Sequence, residues 1–184
     1  MDRYRIGVFV GSLRKESFNL KTAKALMEIA PESLSLEIVP IGDLPLYNQD
    51  SDEQPPAQYT TFRERVRSFD GFLFLTPEYN RSVPAVLKNA IDVASRPYGQ
   101  NCWDGKPGAV VSVSISALGA FGANHHLRQS LVFVNVPAMP QPEAYIGNAQ
   151  QLFDDSGKLS KEDTREFLRD FMAAFEKWVI AHST

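Results

Sequence analysis

Apolar and polar positions along this chain switch period in a regular way. Ile6, Val8, Phe9 and Val10 form an apolar run of strand length that Gly11 breaks. From Leu20 the apolar residues recur at helical spacing through Ala23, Leu26, Met27 and Ala30, until Pro31 stops the helix. Residues 34–41 alternate well enough for a second strand, and 42–56, polar with three prolines, read as a loop. Residues 60–68 predict a charged helix with Tyr59, Phe62 and Val66 facing inward. Residues 71–76 are apolar on both faces, which predicts a central parallel strand.

The same alternation continues. A helix is expected over 83–95, with Ser82 as its N-cap, Pro84 in its first turn and Leu87, Ala90, Ile91 and Ala94 as its inner stripe. A loop over 96–106 leads to a fourth strand over 108–115, a helix over 123–133 and a short strand near 142–146. Residues 148–158 read as a surface turn. Ser160, Lys161, Glu162 and Asp163 form a capping-box pattern opening a last helix, with Phe167, Leu168, Phe171, Phe175, Trp178 and Val179 inward.

Strand and helix thus alternate five times, with no repeat or linker to split residues 1–184 into more than one domain. The expectation is an α/β fold, a parallel sheet with helices on both faces. Ligands of such sheets sit beyond the carboxyl ends of the strands, where the strand order reverses. In the order 2-1-3-4-5 the loops after strands one, three and four are neighbours.

Those three loops carry the unusual chemistry. The first holds Ser12, Arg14, Ser17 and Asn19 at a helix mouth, where free backbone N–H groups and the helix dipole favour an anion. Neither a P-loop lysine nor the Gly-x-Gly-x-x-Gly fingerprint is present, so a single terminal phosphate fits better than a triphosphate or pyrophosphate. The plainer reading has Ser17 or Asn19 capping a helix and Arg14 in solvent. The second loop, 76–82, offers the Tyr79 ring for stacking, a backbone stiffened by Pro77, and Glu78 and Asn80 as rim donors or acceptors. Gly119 and Gly122 give the third loop freedom for close backbone approach.

Composition excludes more than it assigns. A net charge of -3 with no basic run argues against nucleic acid and anionic membrane surfaces. No stretch reaches membrane-spanning length, and the first strand leaves no room for a leader near Met1. Cys102 is the only cysteine, so no internal disulfide forms and a cytoplasmic location is the default. His125 and His126 diverge on a helix, which makes metal ligation improbable. Tyr98 and Trp103 are placed either at the mouth of the site or in packing.

Gly-Ser-Leu-Arg-Lys-Glu-Ser-Phe-Asn at 11–19, then Thr-Pro-Glu-Tyr-Asn at 76–80 and Ser-Val-Pro-x-x-Leu-Lys-Asn-Ala-Ile-Asp at 82–92, resemble the NADPH-dependent FMN reductase family. Within it the chain looks like the bacterial chromate and quinone reductases, over nearly its whole length. The resemblance implies a flavodoxin-like three-layer sandwich, bound FMN, and two-electron reduction of quinones and other acceptors by NADPH or NADH. It also implies a homodimer or homotetramer. The family's phosphate loop falls on Ser12, Arg14, Ser17, Phe18 and Asn19. Its flavin-ring loop falls on Pro77, Glu78, Tyr79, Asn80, Arg81 and Ser82, and its third loop on 116–122, with Ser116 and Gly119 as contacts. Some relatives have tyrosine where Arg81 stands, arginine near Gly122 and tyrosine near His125. Their tetramer contacts are therefore not expected here, although Glu143 remains.

Hydride transfer needs stacked rings about 3–3.5 Å apart and little acid–base help, so no catalytic side chain is expected. A ping-pong cycle with one shared face follows, and Arg14, Lys15 and Arg81 all stand as candidates for the extra phosphate of NADPH. The competing readings are a flavodoxin-like electron carrier and a non-flavin hydrolase or regulatory domain on the same fold.

Overall fold

Each apolar run that a sheet can cover on both faces becomes a strand, and each strand is followed by a helix. The computed structural model describes residues 3–183. Its elements are β1 (Tyr4–Val10), α1 (Phe18–Ile29), β2 (Leu34–Ile38), α2 (Ala57–Arg67), β3 (Gly71–Thr76), α3 (Ala85–Ala94), β4 (Gly108–Val113), α4 (Phe121–Phe133), β5 (Ala144–Ile146) and α5 (Glu162–His182). The strands form one sheet in the order β2-β1-β3-β4-β5, and every neighbouring pair is parallel. This is the expected flavodoxin-like order, with its reversal between β1 and β3.

Alternate residues of the strands feed two cores. Ile6, Val8, Val10, Leu73, Leu75, Val111 and Val113 pack under α1 and α5 with Ala23, Leu26, Phe171, Phe175 and Val179. Phe9, Phe72, Phe74 and Val110 pack on the other face with Phe62, Val66, Leu87, Ile91, Leu127 and Leu131. Trp103 belongs to this second core. Its ring is fully buried, edge-on to Phe9 at 5.1 Å and Phe72 at 4.9 Å, and its indole N–H donates to the Ile91 carbonyl at 3.1 Å. Packing, not the site mouth, is therefore the place of Trp103, while Tyr98 stands almost wholly in solvent. Cys102 is buried beside it, and burial pushes its thiol pKa up.

Several boundaries differ from the expectation, each for a local reason. Strand β2 stops at Ile38 rather than residue 41, because Pro40 has no N–H for a ladder, although Val39 and Ile41 are still buried. Helix α3 begins at Ala85 behind Pro84, and Ser82 is not its cap but belongs to a tight turn described below. Helices α1, α2 and α4 start two or three residues earlier than their periodicity suggests. The capping box at 160–163 does not form. Lys161 occupies the N-cap position of α5 without a side-chain bond, and the Ser160 hydroxyl donates to the Leu152 carbonyl.

Candidate functional site

The first loop leaves β1 at Gly11, whose N–H donates to the Leu75 carbonyl at 2.8 Å. Among the described residues, the backbone N–H groups of Ser12, Leu13, Arg14, Lys15 and Glu16 have no acceptor inside the chain, and Arg14 makes no ion pair. Ser12 is half-buried and Arg14 exposed. Ser17 is buried, and its hydroxyl accepts the Leu20 N–H at 3.2 Å, so the plainer capping reading applies to that side chain. Asn19 is buried as well. Its amide donates to the Val113 carbonyl at 3.3 Å, and its Oδ1 has no partner. Phe18 stacks on Phe153 with centroids 6.0 Å apart. Glu16 pairs with Lys21 at 2.9 Å, and that hydrogen bond holds its carboxyl below the usual range.

The second loop follows β3. Tyr79 and Ser82 exchange both backbone hydrogen bonds at 3.0 Å across Asn80 and Arg81, which hold φ of 51° and 65°. Two consecutive left-handed residues inside such a pair make a type I′ turn, a conformation that normally selects Asn or Gly. The turn lifts the half-exposed Tyr79 ring outward and leaves the Asn80 and Arg81 N–H groups without partners among the described residues. Pro77 and Glu78 are half-buried at its base. The Glu78 carboxylate accepts the Ala123 N–H at 3.0 Å and lies 3.6 Å from the Arg81 guanidinium. The Ser82 hydroxyl lies 3.1 Å from Nδ1 of His126.

The third loop leaves β4. Ser116 is exposed and folds back on its own turn, its hydroxyl accepting the Leu118 N–H at 3.3 Å and its carbonyl the Gly119 N–H at 3.1 Å. Gly119 is buried at φ 58°, and a Cβ there would lie 2.6 Å from the Tyr145 carbonyl carbon. Its glycine character is thus demanded by packing on β5. A buried polar chain holds this corner. The Ser112 hydroxyl donates to the Gly119 carbonyl at 2.6 Å and accepts from the Asn124 amide at 3.1 Å, while the Arg128 Nε donates to Asn124 Oδ1 at 2.9 Å.

Sequence reasoning did not find this chain, nor the Glu78 bond to α4. The signal was present for the first: Ser112 interrupts an all-apolar strand, and Asn124 falls on the inner stripe of α4. The wall beyond the first loop was also missed. Residues 44–47 are pinned to α3 by Asn89, whose Oδ1 accepts the Tyr47 N–H at 2.8 Å and whose amide donates to the Pro45 carbonyl at 3.0 Å.

The three loops lie at the carboxyl ends of three adjacent strands; the first is fastened to β3 and β4 through Gly11 and Asn19, the second to α4 through Glu78 and Ser82. Leu13, Leu46, Tyr79, Ile115, Leu118 and Phe121, all well exposed, stand on the loops after β1 to β4 or at the mouth of α4. Free N–H donors, a solvent-facing guanidinium and an apolar rim suit an anionic tail joined to a flat apolar ring. A groove of about 830 Å³ between β2 and α2 contains none of these residues. The corner is open, as befits a ligand that lies on the protein rather than inside it.

Residues 4–151 match the profile of the NADPH-dependent FMN reductase family. The chain is 63% identical over 177 residues to a quinone reductase of Pseudomonas putida, an alignment covering 96% of this chain and 95% of that one. It is similar to the structure of the flavoenzyme NAD(P)H:(acceptor) oxidoreductase FerB of Paracoccus denitrificans, with a TM-score of 0.92 and 41% identity over 98% of this chain and 100% of the other. A mutant flavodoxin of Pseudomonas aeruginosa shares the fold alone, at a TM-score of 0.58 and 16% identity over 94% of this chain and 99% of the other.

Proposed function

This chain belongs to the NADPH-dependent FMN reductase family, a flavoprotein oxidoreductase working with NAD(P)H, and on that premise we propose that it passes two electrons at a time to quinones by a ping-pong cycle. The observation that carries the reading is the open corner itself, where unpaired N–H groups and an unpaired arginine meet an exposed apolar rim.

The donor set fits FMN. Ser12, Arg14 and the free N–H groups of the first loop suit a doubly charged phosphate, and the unpartnered Asn19 Oδ1 suits a hydroxyl of the sugar chain. The hydroxyl of Ser17 and the ring of Phe18 are already engaged, so these two residues contribute position and backbone. Pro77, Glu78, Tyr79, Asn80, Arg81 and Ser82 would hold the ring, with Ser116 and the backbone at Gly119 contributing from the neighbouring loop. Bound FMN supplies the two-electron hydride chemistry. The chain's part is to orient the ring, to set N–H dipoles of the second loop toward it, and to keep one face open. The exposed side chains of Tyr79, Leu118 and Phe121 would offer nicotinamide and quinone, both flat, the same apolar rim in turn. Chromate, azo dyes and free flavin are further acceptors for so open a face.

We place the enzyme in the cytoplasm as a homodimer or homotetramer. Solvent exposure of Tyr98, Val132 and Phe133 supports self-association. The deciding experiment is a visible spectrum of the purified protein. Yellow protein is expected, bleached by NADPH without oxygen and recoloured by benzoquinone, with parallel double-reciprocal lines in steady state. Protein that remains colourless with added FMN, or intersecting lines, contradicts the reading.

A further inference from the structure

Asn80 and Arg81 are both left-handed and neither is glycine. Such angles disfavour L-residues and persist only where the surroundings over-determine them. The turn's own ladder is a single pair of hydrogen bonds between Tyr79 and Ser82, and an isolated hairpin does not hold itself in water. Support from outside the loop comes from the first turns of α4. Glu78 Oε2 accepts the Ala123 N–H at 3.0 Å, and Ser82 Oγ meets His126 at 3.1 Å.

Helix α4 needs this contact in return. Its N-cap residue, Ala120, is left-handed and offers no side-chain acceptor, so the carboxylate from the second loop supplies the missing cap. The fit is close. A Cβ on Gly122 would lie 2.9 Å from Glu78 Oε2 and 3.0 Å from the Arg81 carbonyl oxygen. Both oxygens of Glu78 face partners within the chain, Oε2 the Ala123 N–H and Oε1 the Arg81 guanidinium. Little of the carboxylate is left for a ligand.

We propose that Glu78 is a positioning residue: seated on the N-terminus of α4, it holds the 77–82 turn in the shape that receives the flavin ring. The proposal rests on the functional reading above. It separates the work of Glu78 from direct contact with the ring.

The test compares three full-length variants by FMN titration, followed by flavin fluorescence, and by amide exchange at Ala123. Glu78→Ala is expected to raise the FMN dissociation constant by about 10- to 100-fold, the scale of a lost charge-assisted hydrogen bond, and to speed Ala123 exchange before flavin is added. Glu78→Gln keeps an acceptor for the same N–H and loses the charge at the helix end together with the long, solvent-exposed Arg81 pair, both of small worth, so it is expected within about fivefold of the parent. Gly122→Ala leaves Glu78 intact but displaces the turn, and is expected to weaken FMN by roughly tenfold or more. Unchanged Ala123 exchange in Glu78→Ala with unchanged FMN binding in Gly122→Ala overturns the proposal, and so does parent-like FMN binding by Glu78→Ala. In both cases the functional reading survives as long as the parent binds FMN. A parent that binds none overturns the two together.

Discussion

Gly119→Ala isolates what the third loop is made of. The residue sits at φ 58°, where an L-residue pays about 1–2 kcal/mol. Its new Cβ would also lie 2.6 Å from the Tyr145 carbonyl carbon and 2.9 Å from the Ile146 nitrogen. Ordinary carbon contacts lie near 3.5–4.0 Å, so the loop and β5 must separate by roughly 1 Å. Neither side yields easily, because both partners are backbone. β5 is three residues long, and the Ser112 hydroxyl binds the Gly119 carbonyl at 2.6 Å and the Ala144 carbonyl at 3.3 Å. Overpacking of this kind adds about 1–3 kcal/mol, for a total of about 2–5 kcal/mol. In a chain of this size that lowers the melting temperature by roughly 5–20 °C. The assay is urea and thermal unfolding of flavin-free protein, since bound ligand would mask the change. A variant within about 0.5 kcal/mol of the parent, yet impaired in FMN uptake, refutes the packing argument and gives the glycine back to cofactor approach.

Arg14→Ala should weaken FMN by about 10- to 100-fold, the worth of one charged hydrogen bond to phosphate, and fluorescence titration reads it; unchanged flavin content removes Arg14 from the site. Trp103→Ala should cost about 3–5 kcal/mol in urea unfolding, because the indole fills the centre of the Phe9, Phe62, Phe72 and Phe74 cluster, and a loss below about 1 kcal/mol contradicts that placement. Burial, followed by the hydrogen bond to the Glu143 carboxylate and that carboxylate's charge, pushes the Tyr145 phenol from 10.0 to about 12. The folded chain therefore holds that proton where the unfolded chain has lost it, and stability should fall as pH rises through this window. Tyr145→Phe should flatten that part of the unfolding curve; a variant with the parent's slope shows the phenol to be ordinary.

The parts of the fold that were legible are those where one residue type serves both local and global demands. The runs at β1, β3 and β4 are apolar because both faces are covered, and no other element of such length fits them. The misreadings fall where tertiary contacts outbid local ones. Val39 and Ile41 look like strand because they are buried, yet Pro40 ends the ladder. Ser82 looks like a helix cap because it precedes Val-Pro, but the turn with Tyr79 claims it. Ser160 has a capping-box partner three residues on and still bonds to Leu152. Within the site, the loops were legible as chemistry, and their adjacency followed from the strand order. Their fastenings were not. Glu78 and Ala123 stand 45 positions apart, and no local pattern joins them.

Those fastenings divide the site unequally. Glu78 and Ser82 of the second loop both end on α4, and the third loop is held through Asn124 of the same helix. Helix α4 is in turn fixed to the sheet by the buried stripe Ala123, Leu127 and Leu131. The first loop hangs instead on β3 and β4 through Gly11 and Asn19. The ring end of the site therefore follows α4, and the phosphate end follows the sheet. Trimming Leu127 to Ala leaves a cavity beneath α4 and should cost about 2–5 kcal/mol overall. Its sharper consequence is local. Amide exchange should quicken together at Tyr79, Ser82 and Gly119, whose N–H groups are bonded, while Gly11 and Leu20 keep the protection of the parent. Equal loosening of all three loops would mean that they form one unit and that α4 is no special reference for two of them.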